Sequence, residues 1–139
     1  MDFVSQNIFL ITIAVISGLA LFLPILRDAQ NQSQQVTPSQ AVMLMNRQHA
    51  VIVDVREEAE LAEGRIDGSR HIPAGEMDKR VGELEKFKSR PVILVCETGS
   101  RSARSLASLR KAGIAQAYNL AGGIKAWKDA GQPLISGKA

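Results

Sequence analysis

One cysteine, one tryptophan and one tyrosine are found among the 139 residues, and aromatic side chains make up only 4% of the chain. A single thiol excludes an intramolecular disulfide framework and any zinc site built from several thiolates. The net charge of +3 is small, and no aromatics are interleaved with the basic residues, so a nucleic-acid partner is not expected. Charge is also missing over one long stretch. Between Phe3 and Leu26 there is not one Asp, Glu, Lys or Arg, although charged residues form 22% of the whole. The mean hydropathy of −0.01 therefore averages two unlike pieces.

The first piece is the run Ile8–Leu26, IFLITIAVISGLALFLPIL, in which Thr12 and Ser17 are the only hydroxyls. About 20 apolar residues cross the hydrocarbon core as a helix, so the run is long enough. A cleaved signal peptide would open with a basic segment and close on small residues. Here Met1-Asp2 precedes the run and Leu-Pro-Ile-Leu-Arg closes it. A buried core helix is usually shorter and would need a partner to cover it. The expectation is an uncleaved transmembrane helix over 8–26, with a short tail at 1–7 outside the cytoplasm and the lipid bilayer as partner. Arg27 follows the run and no basic residue precedes it, so the positive-inside rule places the C-terminal side in the cytoplasm.

The second piece reads as one small domain over 37–137, joined by a polar linker at 27–36 that is rich in Gln and Asn. Thr37-Pro38-Ser39-Gln40 predicts a helix start, with Thr as cap and Pro in the first turn. Val51–Val55 and Pro91–Cys96 read as buried parallel strands, and Ala117–Leu120 as a third. The spacing predicts helices at Glu57–Ala62, Glu76–Phe87, Arg101–Ala112 and after Gly122-Gly123, with a turn-rich connection at Gly64–Pro73. Strands alternating with helices predict an α/β fold with a small, mostly parallel sheet flanked by helices. Met43, Met45 and Trp127 are expected as core filler, His49 as a surface residue and His71 in a structural role.

Cys96 closes an apolar strand, and Glu97-Thr98-Gly99-Ser100-Arg101-Ser102 leads from it into a helix. Ligands of open α/β sheets gather at strand carboxyl ends. A loop at that place can turn its amides inward as an anion-binding concavity, and the helix N-terminus and Arg101 add positive charge. These features suit a thiolate, or a persulfide anion on it. A lone cysteine ending a strand would otherwise be inert core; the loop that follows it points to function. Asp54 and Arg56 end the neighbouring strand and read as a supporting salt bridge, with Ser102 and Arg104 behind the loop.

C-x-x-G-x-R-S resembles the active-site loop of single-domain rhodanese-like sulfurtransferases. Asp54-Val55-Arg56, Glu60, Gly64-Arg65-Ile66, Gly68-Ser69 and Ile72-Pro73 resemble the family's earlier signature. Leu120-Ala121-Gly122-Gly123-Ile124, Trp127 and Gly131-Gln132-Pro133 resemble its closing one. Together they cover roughly Thr37–Pro133, and the anchor plus domain resembles membrane-tethered bacterial members. The resemblance implies a rhodanese-like fold and a ping-pong reaction. The Cys96 thiolate takes sulfur from a small donor as a persulfide and yields it to a thiol or protein acceptor, without a cofactor or metal. Two positions depart from the pattern: Arg65 replaces a histidine, and Glu97 puts an acid beside the cysteine, which opposes thiolate formation and repels dianionic thiosulfate.

Two other functions compete with this one. A cysteine phosphatase or arsenate reductase would have five residues between Cys and Arg, and here there are four, with Val95 where such phosphatases carry histidine. A tethered recognition module that binds without turnover is the other.

Overall fold

The computed structural model describes residues 2–32 and 34–136, with the backbone alone given for 27–32. The Arg27 side chain, Ser33 of the expected linker and the expected domain end at 137 lie outside what is described. The chain forms two units, 1–33 and 34–139.

In the first unit, helix α1 (Asp2–Gln6) precedes α2 (Ile8–Gln32). The stretch Ile8–Leu26 has a mean hydropathy of 2.6 and its side chains are exposed along its length. Thr12 satisfies its hydroxyl within the helix by donating to the Ile8 carbonyl at 2.7 Å. Where the sequence suggests a linker from residue 27, α2 continues past Pro24 to Gln32. One proline removes one ladder bond and need not end a long helix.

The second unit opens with β1 (Gln35–Val36), a strand where a linker is expected. Helix α3 (Pro38–Gln48) follows, and its start is as predicted: Thr37 Oγ1 accepts from the Gln40 amide, and the Gln40 side chain accepts from the Thr37 amide. His49 ends α3 in the left-handed conformation, exposed as expected.

Strand β2 (Val51–Asp54), helix α4 (Glu58–Leu61), β3 (Arg70–His71), α5 (Met77–Arg80), β4 (Val92–Val95), α6 (Ser100–Lys111), β5 (Ala117–Leu120) and α7 (Gly123–Asp129) complete the unit. The expected single helix at Glu76–Phe87 is instead α5 followed by a 3-10 helix, Val81–Phe87. Gly82 near their junction favours the break, because glycine is a weak helix former.

The five strands form one parallel sheet in the order β1-β5-β4-β2-β3. Successive residues of a strand face opposite sides, and the core divides accordingly. Val51, Val53, Val92 and Leu94 pack with Leu106, Leu109 and Leu84 on one side. Ile52, Ile93 and Val95 pack with Ala41, Ile124 and Trp127 on the other. Covering both faces is what permits the β-branched runs of β2 and β4. In the register, Asp54 lies opposite Val95, and Leu94 opposite Asn119. The carboxyl ends of β2, β4 and β5 thus lie side by side, with Cys96 just past the central strand.

Candidate active site

Cys96 continues the alternation of β4 onto the same face as Val92 and Leu94, and it is fully buried. The loop then turns back on its sulfur. Gly99, at φ 98, directs its amide at Sγ over 2.9 Å. Ser102, in the first turn of α6, has its hydroxyl 3.3 Å from Sγ. That hydroxyl has one proton and three acceptors in reach: Sγ, the Gly99 carbonyl and Asn119 Oδ1. A charged sulfur is the strongest of the three. Burial pushes the thiol up, but donation from the Ser102 hydroxyl and from the amides of Ser102, Gly99 and Thr98 outweighs it, and the thiol lies below its ordinary value. The surroundings therefore favour a thiolate.

Asn119 braces the loop from β5. Its Nδ2 donates to the Gly99 carbonyl at 3.0 Å and to Gln35 Oε1 at 3.2 Å, tying the active loop to β1. A buried polar residue in an otherwise apolar strand is the signal that sequence reasoning passed over. Gly122 and Gly123 complete the enclosure. A Cβ on Gly123 would collide with the Cys96 carbonyl and come within 2.6 Å of the Glu97 carbonyl. Without one, α7 starts against the loop, and Ile124 and Lys125 donate their amides to those two carbonyls.

Arg101 does not point its fork at the sulfur. Both terminal nitrogens bind the Glu60 carboxylate, each at 2.6 Å. The hydrogen bond from Arg101, opposed by partial burial and helped by the Glu57 amide, lowers the Glu60 carboxyl to about 2. Arg101 is raised by the same pair against its own desolvation, and further by the charge of Cys96. Glu60 stands 41 residues from Arg101 in the chain; the earlier signature contained it without indicating this partner.

Asp54 and Arg56 are brought together as expected, and both are buried. The Arg56 guanidinium forms a fork with the Asp54 carboxylate, with Nη2 to Oδ2 at 2.8 Å, and donates to the Gly64 carbonyl at 2.8 Å. Its Nη1 lies 3.5 Å from Glu97, so the acid beside the cysteine meets a cation. His71 Nε2 sits 2.6 Å from the Arg56 carbonyl. A carbonyl only accepts, so this nitrogen carries the proton, in the structural role expected. Arg65 turns away, donating to the Ser69 carbonyl within its own loop. Among the described residues no cluster of His, Cys, Asp and Glu could hold a metal.

This arrangement places one buried thiol inside a loop whose amides face its sulfur. Residues 37–130 match the rhodanese-like domain family. The chain is 32% identical to a protein named YibN from Escherichia coli (strain K12), over 99% of this chain and 97% of that one. It is 32% identical to a sulfurtransferase of Allochromatium vinosum, covering 78% of this chain and 92% of the other. Among solved structures, a thiosulfate sulfurtransferase from Pseudomonas aeruginosa superposes with a TM-score of 0.70 at 31% identity, over 81% of this chain and 22% of that longer one.

Proposed function

The chain belongs to the rhodanese-like domain family, and on that footing we propose that it is a membrane-anchored sulfurtransferase. Cys96 takes up sulfane sulfur as a persulfide and passes it to a nucleophilic acceptor. The observation that carries this reading is the set of donors converging on Cys96 Sγ from Gly99, Ser102 and the loop amides. In the first half-reaction the thiolate attacks the outer sulfur of the donor, and the donor's remaining fragment leaves with the bonding pair. In the second, an acceptor takes that sulfur and the pair returns to Cys96. Sulfurtransferase relatives support the chemistry. Glu60 already fills the fork of Arg101 and Glu97 stands beside the cysteine. That charge pattern favours a donor less charged than thiosulfate.

The test is sulfur uptake. The full-length protein in detergent, treated with a sulfane-sulfur donor, gains the mass of one sulfur. Cyanide removes it as thiocyanate, and Cys96→Ala abolishes both events. A second reading, a tethered recognition module, draws on the full burial of Cys96 and the paired state of Arg101. Failure of every donor to load the wild-type protein selects that module instead.

The helix Ile8–Leu26 serves in this proposal as a single-pass anchor in a bacterial inner membrane, with the N-terminus outside and the domain in the cytoplasm. A reporter fused after Ala139 that works only outside the cytoplasm overturns the orientation.

A further inference from the structure

The two edges of the sheet differ in charge. All five strands are parallel, so every strand enters at one edge and leaves at the other, where Cys96 lies. Glu57, Glu58, Glu60 and Glu97 stand where β2 and β4 leave the sheet. The entering edge is basic. Arg47 lies in the last turn of α3, which leads to β2, and Arg110 and Lys111 lie in the last turn of α6, which leads to β5. Lys86, Lys88 and Arg90 precede β4, and a Cβ on Gly113, before β5, would lie 3.5 Å from Lys88 Nζ.

The densest part of this edge gathers about Phe87. The ring packs against the core, and three cations stand over it: Arg70 at 4.5 Å from its centroid, Lys86 at 5.2 Å and Arg90 at 5.7 Å. All three are exposed, and contact with the ring holds their charged heads in place. Arg70, Phe87 and Arg90 line one groove with Val51, the first residue of β2. None of the three forms a salt bridge among the described residues. The acids of the neighbouring segments are Asp67, Glu83 and Glu85, and Glu83 is taken by Arg80 at 2.7 Å. Like charges this close repel each other, and an anionic partner outside the domain relieves that repulsion.

The path of the chain favours one such partner. Strand β1 is parallel to its neighbour, so the chain reaches Gln35 from the entering edge, and α2 ends only at Gln32. With Ile8–Leu26 as a membrane anchor, the basic edge is the one from which the chain runs to the lipid. We propose that this edge lies on an anionic bilayer surface, with its cations on lipid phosphates and Cys96 turned away from the lipid. The proposal rests on the anchor reading. A negative surface attracts this edge and repels the acidic one, so the same field sets the orientation. Nucleic acid offers the same phosphates, but the tether does not bring it to this edge.

The test uses the full chain in lipid nanodiscs, with Cys96→Ser so that one introduced cysteine carries a neutral fluorophore. Ser89→Cys puts it between Lys88 and Arg90 on the basic edge, and Ala59→Cys puts it in α4 on the acidic one; both positions are exposed. In discs containing phosphatidylglycerol, a lipid with a nitroxide headgroup quenches the probe at position 89 and not the probe at 59. In phosphatidylcholine alone the quenching at 89 falls away, and in charged discs high salt reverses it with no further substitution. Arg70→Gln, Lys86→Gln and Arg90→Gln together lower the docked-to-free ratio roughly hundredfold, each contact with the surface counting for about fivefold. Equal quenching of the two probes, or quenching indifferent to phosphatidylglycerol, overturns the docked edge and leaves the anchor standing. Failure of the protein to enter the discs overturns the anchor, and the docking falls with it. An RNA oligonucleotide that displaces the lipid from position 89 at equal phosphate concentration makes the edge a nucleic-acid surface and overturns the proposal as well.

Discussion

Glu60 holds Arg101 by both terminal nitrogens at 2.6 Å, joining helix α4 to the first turn of α6. The pair does two things. It fixes the helix start that carries Ser102, and it commits the Arg101 fork to a carboxylate. Because the Glu60 carboxyl lies at about 2 against an ordinary 4.5, its contribution to stability is complete above the ordinary value. It is lost as pH falls through about 2.

The two side chains are each about one-third exposed, so solvent screening reduces the pair to about 1 kcal/mol. Glu60→Gln is therefore expected to melt roughly 4–8 °C below wild type at pH 7. That gap closes as the pH is lowered towards 2. A gap that stays constant over this range shows that the ionised carboxylate is not what stabilises the wild type.

Ser102→Ala removes the one side-chain hydroxyl that donates to Sγ. Hydrogen bonds to charged groups contribute about 1.5–3 kcal/mol, so less of the thiol is ionised at pH 7. Alkylation of Cys96 by iodoacetamide is expected to slow roughly tenfold or more. The midpoint of its pH–rate profile moves to higher pH, since a donor that favours the charged form has gone. An unmoved midpoint would assign thiolate stabilisation to the Gly99, Thr98 and Ser102 amides alone.

Much of this was legible in the sequence, for reasons that are local. Val51–Asp54 and Val92–Val95 are β-branched runs that can only be buried strands, and Thr37-Pro38-Ser39-Gln40 carries its capping box in four consecutive residues. The turn at Gly99 and the helix behind it follow from the residues after Cys96. What escaped depends on partners distant in the chain. Gln35–Val36 has no strand period of its own and is extended because Asn119 and Leu120 lie opposite it. Arg70–His71 is a strand only by pairing with Val53 and Asp54. The acceptor for Arg101 was likewise hidden: an arginine after a cysteine loop suggests an anion, and nothing near it in sequence says that the anion is Glu60.

Asp54→Ala tests whether the buried pair is structural. The Arg56 guanidinium would keep the Gly64 carbonyl but lose its fork, leaving a buried charge whose nearest acid is Glu97 at 3.5 Å. Breaking such a pair from one side costs about 3–5 kcal/mol. The variant is expected to melt well over ten degrees lower, on the order of 4–8 °C per kcal/mol for a domain of this size. A small change in melting with a large loss of sulfur uptake would instead place Asp54 in the chemistry.

Gly123 and Gly131 make a matched pair, since both have positive φ, at 60° and 76°, and only one faces the site. Alanine at either position bears the left-handed strain of about 1–2 kcal/mol. At Gly131 nothing lies within 4 Å of the added methyl group, so Gly131→Ala should lose stability and keep its sulfur uptake. At Gly123 the methyl group meets the Cys96 and Glu97 carbonyls, which are backbone and cannot rotate away. The loop must move, the amides of Ile124 and Lys125 lose those carbonyls, and the donors around Sγ move with it. Gly123→Ala is therefore expected to load sulfur at least about a hundredfold more slowly, the scale on which small misplacements of reacting groups act. If both variants load alike, the close approach of α7 to the cysteine loop serves stability alone.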